Sequence, residues 1–241
     1  MKFIKFFSPN YNKIIRSSNS IKFIVIHYTG MQSERESLKR LVNPKSKVSS
    51  HYLINEKGEI YNLVNERRIA WHAGKSCWLK FKNLNKNSIG IELVNKGHHL
   101  GYENFRKKQI LSLIKLCKKL IIKYKIKQKN IIGHSDIAPM RKIDPGEKFP
   151  WKQLYKNKIG IWHDQESNFL IKLRRKKVLN KRDKEKFLRN LNKIGYCFSY
   201  KSKKFLTKTI KAFQRHFRKE LINGVLDQEC FLIAKNLTKK L

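Results

Sequence analysis

The chain has 241 residues, with 56 Lys+Arg against 17 Asp+Glu and a formal net charge of +39. An apolar fraction of 40% and an aromatic fraction of 11% exclude an intrinsically disordered chain, which lacks the residues to build a core. No apolar run approaches the roughly 20 residues of a membrane-spanning helix, so no transmembrane segment is expected.

Met1–Phe7 is broken by Lys2 and Lys5 and followed at once by Pro9 and Asn10. It lacks the apolar stretch of about 7–15 residues of a secretory signal, which points to a cytoplasmic location. Ile21–His27 (IKFIVIH) reads as a buried strand, rich in β-branched residues. Ser33–Leu41 has helical spacing and stops before Asn43-Pro44. His51–Ile54 and Ile60–Val64 form a hairpin around the turn Asn55–Gly58. Ser88–Val94 (SIGIELV) is a further strand. Asn104–Tyr124 is an amphipathic helix with a lysine-rich outer face. Asn130–Gly133 is a short strand, and Ile137–Trp151, with three of the five prolines, is an ordered loop. Residues 1–163 therefore read as an α/β domain, a mixed central sheet flanked by helices. A basic linker, 164–183, contains KLRRKK (Lys172–Lys177). From 184 to 241 the pattern is helical only, a small all-α three-helix C-terminal domain. Its first helix ends at Gly195, the second covers Thr207–Phe217, and the third opens on Asp227 as N-cap.

Lysines outnumber arginines 43 to 13 and spread along the whole chain. Specific nucleic-acid contacts favour arginine's rigid fork of donors, so no specific nucleic-acid partner is expected. Cys77, Cys117, Cys197 and Cys230 contain no C-x-x-C pair, which argues against a thiolate zinc knuckle. They are too few for a disulfide framework in a chain this long, and Cys117 lies on an apolar helix face as a buried small residue.

Three polar groups sit where buried segments end: His27 closes IKFIVIH, His134 closes NIIGH, and Asp144 lies in KIDPG. Two imidazoles and one carboxylate, with a fourth position left for water, make an open Zn²⁺ site. A lone histidine at a strand end is also a common structural residue, so spacing leaves both readings open. Glu92, inside SIGIELV, either faces solvent on an edge strand or is a buried general base. Lys142 lies two residues before Asp144, which in an extended loop puts both on one side, where an ammonium would stabilise an oxyanion.

With these residues placed, the chain resembles the zinc-dependent N-acetylmuramoyl-L-alanine amidases of the type 2 amidase family, relatives of peptidoglycan recognition proteins. The matching segments are IVIHYTG (Ile24–Gly30), SSHYLINEKGEIYNLV (Ser49–Val64), AWHAG (Ala70–Gly74), NSIGIELVN (Asn87–Asn95) and GHSDIAPMRKIDPGEKFPW (Gly133–Trp151). The resemblance implies His27, His134 and Asp144 as ligands of one Zn²⁺, Glu92 as catalytic carboxylate and Lys142 as the lysine near the transition state. It implies hydrolysis of the amide between N-acetylmuramic acid and L-alanine in bacterial peptidoglycan or muropeptides, in cell-wall degradation or muropeptide recycling. The C-terminal segments LNKIGY (Leu191–Tyr196), TKTIKAFQRHF (Thr207–Phe217) and NGVLD (Asn223–Asp227) resemble the three-helix peptidoglycan-binding domain. That module makes a periplasmic or envelope location the alternative to the cytoplasm.

Other histidines carry weaker signals. His72, in AWHAG, is either packed beside Trp71 or a cleft wall that contacts substrate. His51 supports the hairpin, with a role behind the metal ligands as the alternative. Asp136 holds the loop through Arg141, and His98 and His99 are expected to be exposed. Two rival functions are a non-catalytic peptidoglycan-binding protein, which would bind without releasing peptide, and a basic nucleic-acid-binding protein, which would show steep salt dependence. The sequence is silent on oligomeric state.

Overall fold

The structure, a computed structural model, describes residues 2–178, 180–199 and 202–241. Met1 of the N-terminal segment, Leu179 of the expected linker, and Tyr200 and Lys201 of the helical region lie outside it.

In chain order the strands are β1 (Phe3–Lys5), β2 (Tyr11–Asn12), β3 (Phe23–Tyr28), β4 (Tyr52–Ile54), β5 (Ile60–Asn62), β6 (Ile69–Ala70), β7 (Cys77–Trp78), β8 (Phe81–Lys82), β9 (Ser88–Leu93) and β10 (Ile131–Gly133). The helices are α1 (Glu34–Val42), α2 (Lys107–Tyr124), α3 (His134–Ile137), α4 (Trp151–Lys156), α5 (Ser167–Leu173), α6 (Lys181–Ile194), α7 (Lys203–Phe217) and α8 (Gln228–Lys239). Among the described residues none is long and apolar enough to cross a membrane.

The main sheet runs β1-β5-β4-β9-β3-β10 and is mixed, as the alternation of strands and helices implies. β10, β3, β9 and β4 are parallel neighbours, while β4 and β5 form the expected antiparallel hairpin. β1, parallel to β5, is an unforeseen edge strand of three residues, too short to show a period.

Period-2 alternation gives the sheet two apolar faces. Ile24, Ile26, Ile89, Ile91 and Leu93 pack in one cluster with Leu113, Cys117 and Leu120 of α2. Phe23, Val25 and Ile132 belong to a second cluster, with Phe187, Phe213 and Ile233 of the C-terminal helices. The three-helix unit is therefore seated on the α/β body.

Its helices are capped by Asn180, Ser202 and Asp227, whose side chains accept the N–H groups of Asp183, Phe205 and Cys230. Gly195 ends α6 at φ 139°, and a Cβ there would lie 2.3 Å from the Trp78 ring, so only glycine fits. Next to this contact, Cys77 and Cys197 form a disulfide across 120 residues of sequence. A single bridge is not a disulfide framework, but no sign of it is present in the sequence; Cys117 and Cys230 are free and buried. The basic stretch 164–183 carries α5, buries Leu170, and joins the bundle through Arg174, which donates to both carboxylate oxygens of Glu229 at 2.7 and 2.8 Å.

Candidate active site

The parallel strands end side by side, and their C-terminal ends form the site, as in other open α/β sheets. His27 and Glu92 are register partners on β3 and β9, so both side chains leave the same face. His134 follows directly on Gly133, the partner of Ile26, and begins α3. Asp144 comes from the proline-rich loop, held where Ser135 N–H donates to the Asp144 carbonyl at 2.8 Å.

His27 Nδ1 lies 2.9 Å from His134 Nδ1 and 3.0 Å from Asp144 Oδ2, and His134 Nδ1 lies 3.1 Å from the same oxygen. All three residues are buried. Among the described residues their ligand atoms form a group, all within 4.8 Å of one another, that could hold a metal ion. His134 Nε2 lies 3.2 Å from the Ala73 carbonyl, which can only accept, and 3.4 Å from Arg141 Nη2, which can only donate; the shorter contact assigns the proton to Nε2 and leaves Nδ1 with a lone pair. A lone pair beside a carboxylate in a buried site needs a cation for balance, and two nitrogens and one oxygen suit zinc. The residues therefore fit the metal that the resemblance implies.

Burial, with His134 adding, lowers His27 to about 4, so its imidazole is neutral, the form a ligand requires. Burial alone would raise Asp144, but the neighbouring imidazoles of His134 and His27 hold it well below the ordinary carboxylate range. Glu92 moves the other way: burial first, then the charge of Asp144, raises it well above that range, against a smaller opposing pull from Lys142. Its Oε2 is shielded from solvent and has no hydrogen-bond partner in the protein. The edge-strand reading of Glu92 fails, because β9 is flanked by β3 and β4.

These groups open into a cleft of about 350 Å³ that Lys142 also lines, together with Tyr28, Arg40, Trp71, His99 and Arg141. All five chemistry-bearing residues singled out in the sequence thus meet in one cleft. His72 lies on its floor, buried, its ring nitrogens engaged by His27 and Ser88. His51 accepts the Gly90 N–H at 3.0 Å and braces β9, in keeping with support of the hairpin. Asp136 does hold the loop, accepting from Gly133 N–H, but not through Arg141. Its partners are Tyr196 Oη at 2.7 Å and His216 Nδ1 at 2.8 Å, both from the C-terminal unit. Arg141 instead donates to the Ala73 and Lys75 carbonyls. His99 is exposed as expected, but His98 is half-buried between Tyr28 Oη at 2.9 Å and Glu147 at 3.1 Å. Sequence reasoning missed Ala73, Ser88 and Gly90. Only the small, polar face of SIGIELV could have flagged the last two.

A family model described as N-acetylmuramoyl-L-alanine amidase matches residues 17–147. The N-acetylmuramoyl-L-alanine amidase AmiD of Escherichia coli is 41% identical over 234 residues, covering 91% of this chain and 83% of AmiD. The 1,6-anhydro-N-acetylmuramyl-L-alanine amidase AmpD of Haemophilus influenzae is 33% identical over 164 residues, covering 61% of this chain and 86% of AmpD. Among solved structures, Escherichia coli AmiD in complex with anhydro-N-acetylmuramic acid-L-Ala-D-γ-Glu-L-Lys superposes with a TM-score of 0.81 at 38% identity, over 95% of this chain and 92% of that one. AmpDh3 of Pseudomonas aeruginosa gives 0.81 at 33% identity, over 96% of each chain.

Proposed function

The chain belongs to the N-acetylmuramoyl-L-alanine amidase family, and from that premise we propose how its own residues perform the reaction. The enzyme hydrolyses the amide between N-acetylmuramic acid and L-alanine in muropeptides. His27, His134 and Asp144 would hold one zinc ion, which supplies Lewis acidity and lowers the pKa of water to about 7. Glu92 accepts the proton of the attacking water and returns it to the leaving amine of L-alanine. Its raised pKa suits both steps, since it brings the carboxyl nearer the pH at which the enzyme must take and give a proton. The Lys142 ammonium stabilises the negative charge that develops on the carbonyl oxygen. Arg40 and Arg141 make the cleft rim cationic, complementary to the carboxylates of a stem peptide. The observation that carries this reading is the convergence of two imidazoles and one high-pKa carboxyl from three adjacent strand ends with one low-pKa carboxylate from the proline-rich loop.

The unit 184–241 is proposed to bind peptidoglycan, on the strength of its LNKIGY, AFQ and NGVLD segments. Seated on the body, it would present polymer from a fixed platform. The Cys77–Cys197 disulfide favours an oxidising compartment, so we place the enzyme in the cell envelope in preference to the cytoplasm.

The test is incubation of purified protein with muropeptides, with and without a chelator, and identification of products by mass. Free stem peptide that disappears on chelation and returns with zinc is expected. Binding of muropeptide without release of peptide would favour the non-catalytic reading.

A further inference from the structure

We propose that His72 is a positioning residue for the metal centre: it fixes His27 in the tautomer whose Nδ1 faces the ion, through a relay that ends on the Leu84 carbonyl. The inference rests on the metal reading of His27, His134 and Asp144.

Strand β9 builds the device by alternation. Ser88, Gly90 and Glu92 share the face opposite Ile89, Ile91 and Leu93. Glu92 reaches the cleft. Gly90 leaves the gap that the His72 ring fills, since a Cβ there would lie 2.4 Å from His72 Cγ. Ser88, one step further back, meets the far side of that ring.

The proton positions follow from the end of the chain. The Ser88 hydroxyl has a single proton, and its Oγ lies 2.6 Å from the Leu84 carbonyl, which can only accept. Ser88 therefore accepts from His72 Nε2–H, 3.1 Å away. A neutral imidazole has one donor and one acceptor nitrogen, so His72 Nδ1 accepts, and His27 Nε2–H donates to it across 3.0 Å. His27 is left with its Nδ1 lone pair directed at His134 and Asp144.

His134 reaches the same state through the Ala73 carbonyl. His72 and Ala73 are consecutive, and Asn85 Oδ1 accepts both their backbone N–H groups, at 3.1 and 2.6 Å. One clamped dipeptide thus orders both imidazoles, and the segment Leu84–Ser88 supplies both the clamp and the end of the relay. Partners of this kind typically alter metal affinity about 10–100-fold.

Zinc affinity of the metal-stripped full chain, read by competition with a chromophoric chelator, tests this. Long-range ¹⁵N–¹H spectra of the metal-stripped protein report the His27 tautomer. His72→Phe is expected to weaken zinc about 10–100-fold, and Ser88→Ala less but in the same direction. His72→Gln, whose amide oxygen can accept from His27, should recover much of the loss, which a purely space-filling role would not give. Wild-type spectra should place the His27 proton on Nε2. If His72→Phe does not fold, Ser88→Ala and Gly90→Ala, which displaces the ring but keeps its nitrogens, decide the matter. Wild-type affinity in these folded variants, or a His27 proton on Nδ1, overturns the relay alone. Failure of the wild-type protein to bind zinc overturns the metal reading, and the relay with it.

Discussion

Two buried polar clusters flank the same side of the sheet, and they differ in how their charge is balanced. In the bundle, Arg218 lies 3.2 Å from Asp227 and 3.4 Å from Glu229, and Arg174 pairs with Glu229 as well, so each buried carboxylate meets a guanidinium of the chain itself. In the cleft, among the described residues, Asp144 pairs only with the imidazoles of His27 and His134, Lys142 and Arg141 line the walls, and Glu92 Oε2 has no hydrogen-bond partner. The first cluster is balanced in charge and serves stability, although Arg218 Nε and Nη1 have no hydrogen-bond partner among the described residues. In the second, the His27, His134 and Asp144 ligand atoms converge as a group that could hold a metal ion, and that marks it as the working site.

Substitutions that attack one cluster and spare the other break this comparison or sharpen it. The largest effect is expected from Glu92→Gln, a loss of about 10²–10⁴ in turnover of muropeptides, the range for a missing general base. Because it removes a desolvated carboxyl, its thermal midpoint should not fall, and an unchanged rate would refute the proton-transfer role. Arg218→Met does the reverse. It strands Asp227 and leaves Glu229 to Arg174 alone, at a cost of about 3–5 kcal/mol in chemical denaturation, with zinc affinity unchanged. Loss of zinc affinity in the folded variant would mean that the two clusters are coupled.

The Cys197→Ser variant opens the covalent tie between them. Loss of such a bridge typically costs about 2–4 kcal/mol, read as a lower denaturation midpoint that reductant reproduces in the wild-type protein. The smallest effect concerns His51. Burial first, then the charge of Arg16, lowers it from 6.5 to about 3. A depressed folded-state pKa gives stability that is fully present above 6.5 and lost as pH falls towards 3. His51→Gln should therefore flatten, without abolishing, the loss of stability on acidification across that window. An identical slope would mean that other buried groups govern it.

The cleft cluster was legible because strands announce their exceptions. A histidine at the end of IKFIVIH, another at the end of NIIGH and a glutamate within SIGIELV each interrupt an apolar run, and parallel pairing brings such interruptions to one edge. The α/β class, the hairpin and α2 were legible for the same reason, since apolar period dictates which face is buried. The junction with the bundle was not. Asp136 meets Tyr196 and His216, and Cys77 meets Cys197, across 60 to 120 residues of sequence with no local pattern to reveal it. The bundle's helices were legible one by one, but their seat on Phe23, Val25 and Ile132 was not, because a strand buried on both faces reads simply as apolar.

Diffraction from zinc-soaked crystals at the zinc absorption edge tests the central claim most directly. The account expects a single strong anomalous peak within bonding distance of His27 Nδ1, His134 Nδ1 and Asp144 Oδ2. A fully soaked crystal with no peak there, or with zinc held only by other side chains, would contradict it.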